Sequence, residues 1–337
     1  MKKSLASILT IVCFFTLCLV PSLGILVFGE SRAAANEVLA PRPKWGMTVL
    51  NETASWLGSR FALRQQMVTA WAKLCALFGT SAEEQVILGH GGWLYYAPTL
   101  EDFSGPRLTD AELEQIAQRL SSLQQEAQAH GAQFLFTVAP NKNSLYPEHM
   151  PAWAENGHEG ADLVRLLPYL ERYGVNYADL YAPAMPYYRT DSHWTAEGAA
   201  MAADRLLGAL GRQSGFAAGP FLEDGVHRGA LYEMLYPALK GAEAEIVYAD
   251  GFTFESLNDP NGGNAITIRT ASASGEGRLY CWRDSFGIAL YPYLAESFSE
   301  AVFSRSTSYS LPEGEYDAVV LELVERNLGQ LLPSETD

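Results

Sequence analysis

The sequence predicts an α/β fold in which a parallel sheet is flanked by helices. Apolar strand-like segments, 133–139 and 175–180, alternate with segments of helical spacing, one after Thr109 and one at 162–173. Reactive side chains also follow predicted strands directly, which is where parallel sheets carry their functional loops. With 337 residues and 48% hydrophobic content, the chain is long enough for one large or two modest domains.

The N-terminal segment predicts a membrane anchor. Lys2 and Lys3 precede an almost uncharged run, Leu5–Phe28. This run of about 24 residues can cross a bilayer and is longer than the about 7–15 residues of a secretory h-region. We therefore expect residues 1–29 to form an uncleaved signal anchor of a single-pass membrane protein, with the remaining chain outside the cytoplasm. The alternative is a cleaved signal peptide, with cleavage near Ala33-Ala34-Ala35, and a secreted product.

The next two segments are a linker and a small accessory region. Residues 30–44 contain Pro41 and Pro43 and predict a short linker. Residues 45–110 combine helical spacing with two apolar runs around a Gly-rich turn, which predicts helices and a hairpin packed on the main domain.

Residues 111–337 are predicted to form the main, catalytic domain. Its first helix starts at a capping box, Thr109-Asp110-Ala111-Glu112. Further strands are predicted at 279–282, 300–303 and 316–324. Between about 214 and 276, clusters of Gly, Asn, Asp and Pro and two hairpin strands, 245–255 and 265–271, predict a β-rich insertion beside the site.

Two short motifs carry the candidate chemistry. Asp191-Ser192-His193-Trp194 places a carboxylate and an imidazole two residues apart, just before a helical segment. The carboxylate can fix the imidazole tautomer and stabilise its protonated form. Ser285 follows a short apolar strand and precedes a helix-like segment. A serine on such a turn is exposed above the sheet, close to backbone N–H groups.

Together these motifs resemble the DHHW family and the AlgJ- and AlgX-like alginate O-acetyltransferase proteins of the bacterial cell envelope. The resemblance rests on Asp191-Ser192-His193-Trp194-Thr195 and on Arg283-Asp284-Ser285-Phe286, with Gly91-Gly92-Trp93-Leu94-Tyr95 and Pro140-Asn141-Lys142 in support. Position 192 is serine where the family name has histidine. The resemblance implies an SGNH-hydrolase-like, flavodoxin-like sheet.

The chain order further predicts a circular permutation of that sheet. In ordinary SGNH hydrolases the serine follows the first strand and the Asp/His pair comes last, whereas here the pair precedes Ser285. Segment 279–285 would then be the first strand and turn, and 316–324 the strand that leads to the third conserved block. Segments 133–139 and 175–180 would be the last two strands.

The resemblance and the motif chemistry assign roles to six residues. Ser285 is the predicted nucleophile, His193 the general base and Asp191 the residue that orients His193. The Ser285 N–H supplies one oxyanion donor. Where the family's third block has asparagine, this chain reads Glu325-Arg326-Asn327. The candidates for the second oxyanion or substrate-binding donor are therefore Arg326, Asn327 and Asn141.

The predicted function is O-acetyl transfer to a polysaccharide through an acyl-serine. The resemblance implies a polysaccharide acceptor and an integral-membrane acyltransferase that supplies the acyl group. Two alternatives remain: a carbohydrate acetyl esterase with the same triad, and a non-catalytic polysaccharide-binding or assembly protein. A net charge of -16 without a basic block excludes nucleic acid as a partner, and it would repel a polyanionic acceptor.

No cofactor and no metal are expected, because Asp191 and His193 lack a third ligand at suitable spacing. Cys281 is predicted to be a buried thiol, with a Cys75–Cys281 disulfide as the alternative. Arg283 and Asp284 are expected to pair locally and hold the turn. Three other histidines are predicted to be surface residues: His149, His158 and His227.

Overall fold

The computed structural model describes residues 5–31, 33, 38–154, 160–182, 185–258, 263–311 and 313–332. Predictions that concern Lys2, Lys3, Ala34, Ala35 and His158 therefore lie outside the described residues. The helices are α1 (Leu5–Phe28), α2 (Val49–Arg60), α3 (Arg64–Leu77), α4 (Leu100–Ser104), α5 (Asp110–Ala129), α6 (Lys142–Leu145), α7 (Asp162–Arg172), α8 (Ala196–Ala209), α9 (Ala230–Leu235) and α10 (Gly287–Ser297). The strands are β1 (Val86–Leu88), β2 (Leu94–Tyr96), β3 (Gln133–Ala139), β4 (Tyr177–Ala178), β5 (Phe221–His227), β6 (Glu243–Tyr248), β7 (Glu255–Ser256), β8 (Thr267–Ala271), β9 (Arg278–Trp282), β10 (Glu300–Ser304) and β11 (Ala318–Val324).

The chain forms two compact units. One consists of Met1–Leu88 with Arg228–Ala242, and the other of Gly89–His227 with Glu243–Asp337. The boundaries predicted for 45–110 and 111–337 stay predictions.

The first unit contains α1, α2, α3, β1 and α9. An ion pair of 3.0 Å joins Glu30 to Arg60 at the end of α2. The Thr69 hydroxyl on α3 accepts a hydrogen bond of 3.1 Å from the Ala238 amide, which ties α3 to the segment after α9. Among the described residues, no helix meets the length and apolarity that a membrane crossing requires. The signal anchor stays a prediction.

The second unit is built on a seven-stranded sheet in the order β4-β3-β11-β9-β10-β8-β7. The five strands from β4 to β10 are parallel, as predicted. The sheet as a whole is mixed, because β8 pairs antiparallel with β10, and β7 with β8. Counted from β9, the parallel strands follow the order 2-1-3-4-5 of flavodoxin-like sheets. The observed order therefore fits the predicted circular permutation.

The insertion is β-rich, but the predicted strands 245–255 and 265–271 pair with each other only at the end of the first, where β7 lies antiparallel to β8. Strand β6 pairs antiparallel with β5, with a register shift between Glu223 and Val226. Strand β8 instead covers the edge of β10, where its alternating residues Ile268 and Thr270 are buried. Most of these backbone partners thus lie outside the two predicted strands, which local alternation does not reveal.

Helices cover both faces of the sheet. Helices α8 and α10 pack on one face, and α5 and α7 on the other. Strand β11 shows the alternation that this requires: Val320 faces the first core, and Val319 and Leu321 face the second. The predicted capping box at Thr109 is confirmed, since its side chain accepts from Glu112 N and Glu112 bonds the Thr109 amide.

Candidate active site

Ser285 lies on the turn between the end of β9 and the start of α10. This is the strand-to-helix position that the sequence predicted. The turn is tight: a Cβ added at Gly287 would lie 2.6 Å from the Cβ of Arg283. Glycine is therefore required there, because a real Cβ cannot approach that closely. Among the described residues, the Ser285 N–H has no acceptor.

The segment of Asp191 and His193 leads directly into α8. Thr195 caps this helix by accepting a hydrogen bond of 3.3 Å from Gly198 N. A Cβ added at Gly198 would lie 2.4 Å from the carbonyl oxygen of Pro186. The chain before α8 thus packs closely against the helix start, which fixes the position of the two reactive residues.

Asp191, His193 and Ser285 form one continuous line of contacts. The Nδ1 atom of His193 lies 2.7 Å from Oδ1 of Asp191, and Nε2 lies 3.0 Å from Oγ of Ser285. The His193 amide also donates to Asp191 Oδ1 at 3.2 Å. With a carboxylate on Nδ1, the neutral ring carries its proton there and leaves Nε2 free to accept the serine proton.

Phe286 joins the two motifs through ring contacts. Its fully buried ring lies 5.0 Å from the Trp194 ring in an edge-to-face arrangement and 4.7 Å from the His193 ring, measured between centroids. Such packing fixes the imidazole plane. Trp194 and Phe286, which follow His193 and Ser285 in the sequence, therefore both pack beside the site.

The Asp284 carboxylate holds the turn through two backbone N–H groups and not through the side chain of Arg283, which was the predicted partner. Its Oδ1 accepts from Phe286 N at 2.8 Å, and its Oδ2 accepts from Val324 N at 2.8 Å. Arg283 instead donates to the carbonyls of Gly263 (2.8 Å) and Ala265 (3.0 Å), which ties the insertion to the turn. Arg283 also donates to the backbone carbonyl of Asp284 at 3.3 Å, so the predicted local contact is made with the main chain of Asp284 and not with its carboxylate.

The three candidates for a second oxyanion donor differ in how many of their side-chain N–H groups already bond to other residues. The Asn141 side chain donates to Asp102 at 2.8 Å, and the Asn327 side chain donates to Asp284 at 3.2 Å. Arg326 donates to Asn141 Oδ1 at 3.5 Å and lies over the Phe286 ring, 5.7 Å from its centroid. Because a guanidinium has five N–H donors, Arg326 keeps the most hydrogen-bonding capacity of the three.

His227 is not the surface residue that the sequence predicted. Its side chain is only 13% exposed, and its Nε2 lies 3.4 Å from Asp191 Oδ2. It comes from the insertion, at the end of β5. No sequence pattern marks this position, because the mostly exposed strand β5 brings the histidine to the site only by pairing with β6.

Lys142 is a second residue whose place the sequence did not predict. Its Nζ donates to the carbonyls of Leu94, Arg189 and Asp191, each at 2.7 Å. Burial lowers the pKa of Lys142 to about 7, and the charge of Asp191 opposes this. The lysine thus braces the backbone of the segment that carries the carboxylate.

The three aligned side chains open into a cavity of about 410 Å³. Its apolar walls come from the start of α10 and from the insertion, including Ile288, Ala289, Pro292, Tyr248, Phe252 and Tyr293.

Among the described residues, no group of three or more His, Cys, Asp or Glu side chains is placed to hold a metal ion. Cys75 and Cys281 are both free thiols, so the alternative of a disulfide between them is wrong.

Part of the chain matches a known family model. Residues 86–223 match the family model described as SGNH hydrolase-like domain, acetyltransferase AlgX. The resemblance to the AlgJ- and AlgX-like proteins is confirmed. The matched range contains Asp191 and His193, while Ser285 lies beyond it.

Curated relatives match less than half of the chain. A protein of Pseudomonas syringae pv. tomato named "Probable alginate O-acetylase AlgJ" is 26% identical over 166 residues, which are 46% of this chain and 40% of that protein. The protein of the same name from Pseudomonas fluorescens is 27% identical over 160 residues, 43% of this chain and 38% of that protein. The chain thus spans about two fifths of the length of these relatives.

Solved structures share the fold. PatB1 of Bacillus cereus, solved with a sulfonyl adduct, has a TM-score of 0.54 at 17% identity, covering 72% of this chain and 97% of that one. A DHHW family protein from Eubacterium siraeum has a TM-score of 0.51 at 15% identity, covering 64% of this chain and 85% of that one. The chain therefore shares the α/β fold of these structures, and the SGNH hydrolase-like match is limited to residues 86–223.

Proposed function

We propose that the protein is a serine O-acetyltransferase that moves an acetyl group to hydroxyls of a cell-envelope or exported polysaccharide. One observation carries the proposal: the line from Asp191 through His193 to Ser285, with contacts of 2.7 and 3.0 Å. This is the arrangement that serine acyl transfer uses. The AlgJ-named relatives support acetyl as the transferred group.

The proposed reaction has two steps. His193 Nε2 takes the Ser285 proton while Oγ attacks the acetyl carbonyl of an activated donor, and the leaving group departs with that proton. A sugar hydroxyl then gives its proton to His193, attacks the acyl-serine and regenerates Ser285. We assign the Ser285 N–H and Arg326 to the developing oxyanion.

An esterase is the second candidate, and one observation favours it. The His193 side chain is 29% exposed, so water can reach the nitrogen that would activate the acceptor. Water in place of the sugar hydroxyl gives acetate and a deacetylated polymer. The non-catalytic alternative loses its main support, because the three side chains lie within hydrogen-bonding distance.

The location and partners form part of the same proposal. An anchored or secreted domain outside the cytoplasm would meet the polysaccharide there, and the acetyl donor would come from an integral-membrane acyltransferase. A net charge of -16 favours a neutral acceptor over a polyanion.

The test uses the purified full chain, a chromogenic acetyl ester as donor and a neutral oligosaccharide as acceptor. Free acetate and acetylated sugar are both measured for the wild type, for Ser285→Ala and for Ser122→Ala, an exposed serine on α5 that serves as the matched control. We expect acetylated sugar from the wild type and the control only. Serine-dependent acetate without acetylated sugar would establish the esterase, and turnover that ignores Ser285 would refute both.

A further inference from the structure

The Asp191 carboxylate has an ionisable neighbour besides His193. On the side of Oδ2, the Nε2 atom of His227 lies 3.4 Å away. The other ring nitrogen, Nδ1, lies 2.6 Å from Oε2 of Glu245 on β6. The contact with Asp191 has the distance of an ion pair, although its alignment is not that of a hydrogen bond.

The position between two carboxylates defines the charge of His227. A carboxylate can only accept, and a neutral imidazole carries one N–H, so only the imidazolium can face both partners with a donor. Burial alone lowers the pKa of His227, but Asp191 and Glu245 outweigh it and raise this pKa to about 9.

Tyr188 fixes the plane of this imidazolium. The two rings are stacked with centroids 3.5 Å apart and an interplanar angle of 3°. The Tyr188 hydroxyl donates to Glu245 Oε1 at 2.8 Å and accepts from Ile246 N at 3.1 Å. An aromatic face also stabilises a cation directly.

The remaining charged groups nearby have other partners. Glu243, the register partner of His227 in the β5–β6 pair, accepts hydrogen bonds from the amides of Arg189 and Thr190. Lys142 contacts the backbone oxygen of Asp191. Among the described residues, His227 places a ring nitrogen 3.4 Å from Asp191 Oδ2.

We propose that His227 is a positioning residue for the triad: its imidazolium holds Oδ2 of Asp191 and shares that carboxylate's charge with His193. The proposal rests on the proposed serine acyl transfer. If His227 were neutral or absent, more of the Asp191 charge would act on His193 and stabilise its protonated form. A protonated His193 cannot take the Ser285 proton, so activity near neutral pH would fall.

The first experiment measures the pH dependence of kcat/KM for the chromogenic acetyl ester with the full chain. For His227→Gln we expect the acid limb to move to higher pH by roughly one unit, so that activity is about tenfold lower at pH values below both limbs and returns to the wild-type value at pH values above them. The matched control is His130→Gln, an exposed histidine at the end of α5, whose profile should equal that of the wild type. A folded variant with an unmoved acid limb would overturn the proposal.

The second experiment does not depend on turnover. NMR of the ¹⁵N-histidine-labelled full chain reports which ring nitrogens carry protons across the pH range. We expect His227 of the wild type to be doubly protonated at pH 7.5; a neutral His227 would overturn the proposal even if His227→Gln failed to fold. Glu245→Gln keeps His227 and should lower its protonation midpoint, which a purely structural histidine contact would not produce.

The two proposals can fail separately. Ser285-dependent turnover with an unmoved acid limb would leave the acyl transfer standing and refute the role of His227. A doubly protonated His227 in a protein without Ser285-dependent turnover would support the charge of His227 and refute the acyl transfer.

Discussion

The Nε2 atom of His193 lies 3.0 Å from Oγ of Ser285, although 92 residues separate the two in the chain. The approach depends on two helix starts: His193 stands before α8, and Ser285 stands before α10. Phe286 packs against both His193 and Trp194, so the core that stabilises the domain also aligns the reactive atoms. Changes in this core are therefore expected to affect turnover as well as stability.

Asp191→Asn should keep the fold and nearly abolish turnover. An amide in place of the carboxylate no longer requires the proton on Nδ1, so His193 can present the wrong tautomer to Ser285. We expect kcat to fall about 10³–10⁴-fold with little change in KM. Steady-state kinetics check this, with Asp224→Asn on exposed β5 as the control. A loss below tenfold would contradict the assigned role of Asp191.

Lys142→Met should destabilise the protein and also lower activity. The substitution leaves the carbonyls of Leu94, Arg189 and Asp191 without their buried donor. We expect a loss of about 3–5 kcal/mol in the free energy of unfolding, measured by denaturant titration. Lys73→Met, at an exposed position on α3, should change it by less than about 0.5 kcal/mol. Equal effects of the two substitutions would refute the bracing role.

Glu325→Gln should flatten the dependence of stability on pH. Burial, followed by the charge of Asp102, raises the pKa of Glu325 from 4.5 to about 8. Between these pH values the folded state binds more protons than the unfolded state. The stability that the protonated Glu325 contributes is therefore fully present below pH 4.5 and is lost as the pH rises through about 8. The glutamine variant should lose this part of the decline.

Denaturant midpoints from pH 4 to 9 provide the measurement for that variant. The hydrogen bonds that Glu325 Oε2 accepts from Asn141 N and Ser144 can be kept by the glutamine oxygen. Glu126→Gln, an exposed substitution on α5, should leave the decline unchanged. A Glu325→Gln protein with the wild-type slope would show that the carboxyl group titrates normally in the fold.

Phe252→Ala should weaken the binding of the acceptor and leave the hydrolysis of the small ester unchanged. Phe252 stacks on Tyr248, with centroids 5.4 Å apart, and lines the cavity beside Ser285. If the polysaccharide occupies this wall, its loss removes about 1.5 kcal/mol of apolar contact, and the acceptor KM should rise about tenfold. Phe78→Ala, an exposed substitution outside the cavity, is the control. A parallel loss of ester hydrolysis would indicate a displaced triad instead.

The sequence predicted the parts of the fold that depend on local pattern. The capping box at Thr109, the apolar strand β11 and the turn that carries Ser285 each follow from spacing within a few residues. The chain order of Asp191, His193 and Ser285 also predicted the permuted strand order. These features could be predicted because each is determined by neighbours in the chain or by the order of motifs.

The residues that were missed depend on pairing between distant segments. His227 faces Asp191 only because β5 pairs with β6, a pairing that the predicted strands 245–255 and 265–271 do not include. Lys142 entered the sequence analysis only within the Pro140-Asn141-Lys142 segment of the resemblance, although its ammonium bonds three carbonyls from two other segments. His227 has no sequence pattern that distinguishes it from an ordinary surface histidine.

The central claim is an acyl-enzyme on Ser285, and the most direct test looks for it. The full chain is mixed briefly with the chromogenic acetyl ester, quenched in acid and digested, and the peptide that contains Ser285 is analysed by mass spectrometry. The account predicts an acetyl group on Ser285 that disappears when an acceptor sugar is added, and no acetylation of this peptide in Ser285→Ala. Ester turnover without acetylated Ser285, or acetylation confined to other residues, would contradict it.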